Sequence, residues 1–141
     1  MQITYLCAKH TEWVYSHPAE ARHYLERDEH QGRQLSLAGR YCECIPYLGC
    51  AFDIAALLLE MADVDNADYA CRLASLAVCL SQAYCQVQAL DYAVGILYRA
   101  VGVLGEHGDQ RTQSQLREYL RSVLMTFTAC PAEHRTGFLH A

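Results

Sequence analysis

Gly39-Arg40-Tyr41-Cys42-Glu43-Cys44-Ile45-Pro46-Tyr47-Leu48-Gly49-Cys50-Ala51 is the stretch on which the reading of this chain turns. Cys44, Leu48 and Ala51 form a small-x-x-x-large-x-x-small pattern, which places all three side chains on one helical face. Small residues let two helix axes approach closely, and the large one fills the groove of the neighbour. The same spacing returns downstream in Ala93, Leu97 and Ala100, preceded by Leu80-Ser81 and Tyr84. Two such stretches predict helices packed side by side in antiparallel hairpins.

Helical periodicity runs through the rest of the chain, and the strict alternation of a half-buried strand is nearly absent. Helices are predicted over about residues 3–16, 19–36, 40–61, 69–84, 89–104 and 112–128. Pro18 suits a first turn, and Gly39 is a natural break. Pro46 predicts a kink or a helix start nearby. Asp63 to Asp68 reads as a connection, with Asp65, Asn66 or Asp68 as its cap. Residues 105–109 read as a loop, and residues 131–141 as a loosely held tail. The expectation is a single all-α domain over 1–141, either tetratricopeptide-like hairpins or an irregular bundle of about six helices.

Composition agrees with that reading. The chain has 141 residues, 52% of them hydrophobic and 19% charged, enough apolar material to exclude a disordered tail. Three prolines and eight glycines speak against a turn-rich β sandwich. No apolar run reaches the length of a membrane span, Ile54 to Leu59 being the longest candidate. The N-terminus lacks the basic start of a signal peptide. These features predict a cytoplasmic protein without membrane partners. Residues 1–70 hold eleven acids and five bases, and no basic residue occurs from Tyr41 to Cys71. With a net charge of −5, the chain lacks the broad positive footprint of a nucleic-acid binder. Arg111, Arg117 and Arg121 on the last helix are the local exception.

Eight cysteines invite a disulfide framework or a zinc site. Only Cys42 and Cys44 stand close enough to read as a ligand pair, and no second pair follows. The thiols are therefore expected mostly as small core residues, with no cofactor or metal. Cys7, Lys9 and His10 cluster, yet nothing else suggests a nucleophile, and no enzymatic activity is expected. Ten tyrosines, among them Tyr41, Tyr84 and Tyr92, supply large side chains for the core and its rim.

The residues of the two stretches, with Gly32 and Leu35 ahead of the first, resemble the tetratricopeptide repeat, a helical hairpin of about 34 residues. Residues 74–107 match one whole unit through Leu80, Ser81, Tyr84, Ala93, Leu97 and Ala100. Neither unit has the family's tryptophan or closing proline, and the units sit 49 residues apart. The resemblance implies a partner-binding groove on the first helix of each hairpin. Arg33 and Leu37, with Glu29 and Ser36, would face it from one unit, and Ser75, Val78, Gln82, Cys85 and Gln86 from the next. An uncharged, mildly apolar groove of this kind suits a protein or peptide segment, or a second copy of the chain. Two alternatives stay open: a regulatory bundle with a thiol-based metal or redox site, and a nucleic-acid regulator using the last helix.

Overall fold

The computed structural model describes residues 3–62 and 66–129, and all regular structure among them is α-helical. In chain order the helices are α1 (Ala8–Ser16), α2 (Pro18–Leu37), α3 (Tyr41–Met61), α4 (Asn66–Gln86), α5 (Leu90–His107) and α6 (Gln110–Ala129). From α2 onward each helix packs chiefly on its neighbours in the chain, α1 lies mainly on α3, and weaker contacts join α2 to α4, α3 to α5 and α4 to α6. The result is a row of antiparallel hairpins. The expected tail at 131–141, the Asp65 cap and Cys130 lie outside the described residues.

The two central hairpins repeat one another in detail. Gly39 and Gln88, 49 positions apart, both take positive φ, at 76° and 61°. Around Gly39 the Gly39 amide donates to the Ser36 carbonyl and the Arg40 amide to Leu35; around Gln88 the Gln88 amide donates to Cys85 and the Ala89 amide to Tyr84. Each set closes a helix end through a left-handed residue, satisfying carbonyls the helix leaves free. Gly32 and Ser81 occupy matching places in the helices before these turns. A Cβ at Gly32 would lie 2.6 Å from the Leu48 side chain, so glycine is what lets α2 and α3 meet there. Ser81 is buried, and its hydroxyl has no hydrogen-bond partner among the described residues.

The core follows the small-large-small stripes. Cys44, Leu48, Ala51, Ala93, Leu97 and Ala100 are all fully buried, together with Leu73, Leu76 and Leu80 from α4. Helix α3 is the most enclosed, flanked by α1, α2 and α4. It is 21 residues long, and an 18-residue stretch of it has a mean hydropathy of 1.6, so by length and composition it could cross a membrane, which corrects the expectation that no stretch is apolar enough. Of that stretch, 61% is buried against neighbouring helices. Pro46 sits six residues into α3 without ending it. The one ladder bond it removes is to the Cys42 carbonyl, at an exposed residue that water can serve.

Several helix ends differ from expectation. Asn66 begins α4, and its side-chain amide donates to the His107 carbonyl at 2.7 Å, closing the end of α5 rather than capping its own helix. Helix α5 continues into the expected loop as far as His107, leaving Gly108 and Asp109 as the connection to α6. Asp109 caps α6 through its carboxylate, which accepts the Thr112 amide at 2.7 Å and the Thr112 hydroxyl at 3.0 Å. Those bonds hold the Asp109 carboxyl below the usual aspartate range. The largest departure is at the start. Residues 3–7, expected as the first turn of a helix, are non-helical, and α1 begins only at Ala8.

Candidate functional site

The segment Ile3-Thr4-Tyr5-Leu6 leaves the helical pattern because other residues take its main-chain groups. Asp53, on the buried face of α3 and 4% exposed, accepts two successive amides on one oxygen, Tyr5 at 2.6 Å and Leu6 at 2.9 Å. Its other oxygen pairs with Arg99 of α5 at 2.5 Å. The same Arg99 nitrogen donates to the Ile3 carbonyl at 2.8 Å, and the guanidinium lies over the Phe52 ring. One carboxylate and one guanidinium thus grip three consecutive stations of a backbone. Charge-assisted bonds of this kind are about twice as strong as neutral ones.

Side chains complete the seat. Ile3 is buried, and the Tyr5 ring lies directly on Gly49, where any Cβ would collide with it. The Tyr5 and Tyr84 hydroxyls share a hydrogen bond at 2.5 Å, and Tyr84 stacks on the exposed Tyr92. Burial first, then the Tyr84 contact, pushes the Tyr5 phenol far above the usual tyrosine range, so it stays neutral. The seat therefore draws on α3, α4 and α5, and part of the tyrosine surplus is explained by it.

The face formed by α2 and α4 carries the residues singled out from the sequence. Arg33 donates to Ser75 at 2.8 Å and to the Cys79 sulfur at 3.2 Å, while Glu29 on its own helix pairs with it at 3.0 Å. Arg72 reaches across from α4 to Glu29 at 3.2 Å and also holds Asp68. Arg22 of α2 contacts Glu26, Asp68 and the Tyr69 hydroxyl. The expected uncharged groove is thus a ladder of three arginines and three carboxylates, neutral in sum. Long arginine side chains span a gap between parallel helices that residue-by-residue assignment leaves polar and empty. Arg33 and Ser75 are brought together. Val78 and Cys85 are half-buried against the core, and Gln82 and Gln86 are exposed. Leu37, 84% exposed, stands at the end of α2.

The thiols do not behave as a group. Of the seven described, Cys44 alone is buried, Cys50, Cys79 and Cys85 are half-buried, and Cys7, Cys42 and Cys71 are exposed, so most are not core residues as expected. No three His, Cys, Asp or Glu side chains among the described residues converge on a common point. Cys7 lies 3.3 Å from His10 Nδ1 at an exposed position. Arg111, Arg117 and Arg121 are exposed on α6, and Arg121 pairs with Glu118 at 2.9 Å.

Comparisons with protein-family models, with curated proteins and with solved structures find no match to this chain.

Proposed function

We propose that this protein is a non-enzymatic interaction module whose α3–α5 face binds an extended protein segment. The observation that supports the reading is the seat of Ile3–Leu6. Asp53 and Arg99 hold that segment mainly by its backbone, and Gly49 and Tyr84 admit one aromatic side chain. Main-chain bonds supply affinity in such recognition, and a side-chain pocket supplies selectivity. An extended segment carrying an aliphatic residue two places before a tyrosine fits the seat. The same segment of a second copy meets this description, so exchange of the arm gives a homodimer. On this reading the ion-pair ladder of α2 and α4 keeps the hairpins in register.

In its own chain the arm competes at an effective concentration of about millimolar, so the seat must be loosened before a partner is measured. Tyr5→Ala in the full chain removes the ring that anchors the arm. A fluorescent peptide copying residues 2–8 is expected to bind this variant at least about tenfold more tightly than the parent, by the loss of that competitor. Adding Arg99→Met or Asp53→Ala is expected to abolish the binding, with circular dichroism confirming the fold. Gln82→Glu combined with Cys85→Arg is expected to leave it unchanged. Equal peptide affinity for parent and Tyr5→Ala would refute the proposal.

A further inference from the structure

Between α1, α2 and α3 lies a cavity of about 490 Å³, within the span of sites that take small organic ligands. Leu6, Val14 and Ile54 supply apolar wall. Trp13 and Tyr24 add an aromatic corner, set edge to face with ring centroids 5.4 Å apart. Asp28, from α2, also lines the cavity and is 9% exposed. Its carboxyl makes one hydrogen bond among the described residues, a long one of 3.4 Å from Arg27. A buried carboxylate so thinly partnered carries a desolvation cost.

Arg27 shows which chemistry the corner takes. Its guanidinium carbon stands 4.6 Å from the Tyr24 ring centroid while a terminal nitrogen touches Asp28. A cation over an aromatic face and against a carboxylate is the arrangement by which organic ammonium ions are recognised. Yet the Arg27 side chain is 67% exposed and can swing into water. The buried charge is the negative one, so removing Arg27 from the corner leaves it negative. The remaining titratable groups do not reverse this. Cys50 faces the cavity as a thiol pushed up by burial and by the two aspartates, and His10 is engaged with Cys7. An anionic ligand drawn by Arg27 would have to sit against Asp28.

We propose that this cavity binds an amphipathic organic cation, an amine or quaternary ammonium with an apolar body. The charge sits between Asp28 and the Tyr24 face, the body lies along Leu6, Val14 and Ile54, and Arg27 is the internal stand-in that the ligand displaces. The assignment rests on the cavity, whose wall includes Leu6 of the seated arm, and does not depend on what else the α3–α5 face binds.

Trp13 is the chain's one tryptophan, so its fluorescence reports occupancy of the cavity. Titration of the full chain at pH 7 with 2-phenylethylamine is expected to give a saturable change. The isosteric 2-phenylethanol is expected to bind about tenfold more weakly, the margin of one charge-assisted contact, and 3-phenylpropionate not at all. Asp28→Asn is expected to weaken the amine about tenfold, and Arg27→Gln to tighten it by removing the competitor. Equal responses to amine and acid, or an Asp28→Asn chain that binds the amine as tightly as the parent, would overturn the assignment. So would an Arg27→Gln chain in which binding is unchanged or weaker. That surface variant decides the matter if Asp28→Asn does not fold.

Discussion

Asp28 holds a position that stability alone would not choose. Burial raises its pKa, and the neighbouring Arg27 offsets this only in part. The folded state therefore binds the Asp28 proton more readily than the unfolded chain does. Stability falls as pH rises from the ordinary aspartate value near 4 through the higher folded value, and the penalty is complete above it. Replacing the carboxylate with the neutral, similarly shaped asparagine removes that penalty. Asp28→Asn is expected to unfold at a higher temperature than the parent at pH 7, with the gap closing below about pH 4. Thermal denaturation at both pH values checks it, and an unchanged gap across the range would mean that Asp28 is not the titrating group. Asp53 is the contrast: also buried, but with an arginine and two amides around it.

At the scale of helices and turns, the two hairpins form a controlled comparison within one chain. Gly39 and Gln88 occupy equivalent left-handed positions, but only glycine adopts that conformation without a Cβ penalty. Gln88→Gly is expected to stabilise the protein by about 0.5–1 kcal/mol, and Gly39→Gln to destabilise it by a similar amount. Chemical denaturation of the two single variants measures both, and effects of the same sign would show that the turns are not equivalent.

The hairpins were legible because their signals are local. The glycine break at Gly39, the stripe of Cys44, Leu48 and Ala51, and its recurrence at Ala93, Leu97 and Ala100 each act within a few turns of helix. The arm was only half legible: Ile3, Thr4 and Tyr5 favour extended backbone, but what claims the Tyr5 and Leu6 amides is Asp53, 48 and 47 positions on. Asp53 itself could have raised the question, being an acid in the middle of an apolar helix. The charge ladder was missed for a related reason. Arg33 and Ser75 were both singled out for the α2–α4 face, but nothing in their local sequence says that one reaches the other.

For the molecule as a whole, the row-like contact pattern makes stability uneven. Helices α3 and α4 are covered on both sides, with eleven and nine buried residues, whereas α1 buries Val14 alone. In such an array each unit is held mainly by its neighbours, and the ends open first. Native-state hydrogen exchange is expected to be slowest in α3 and α4 and fastest in α1 and the distal half of α6. Protection in α1 equal to that in α3 would instead mark a single cooperative unit. Ion pairs of the half-exposed ladder contribute at most about 1 kcal/mol each, so raised salt should leave this order unchanged.

The clasp at Asp53 and Arg99 also has a bearing on how the chain is made. Arg99 follows Ile3 by 96 residues, so on the ribosome the arm emerges long before its receptor exists. While α3 waits for α5, the segment has only half of its clasp, the Asp53 carboxylate without the Arg99 guanidinium. Docking of the arm is thus complete only once α5 has folded, which makes it a last act of assembly.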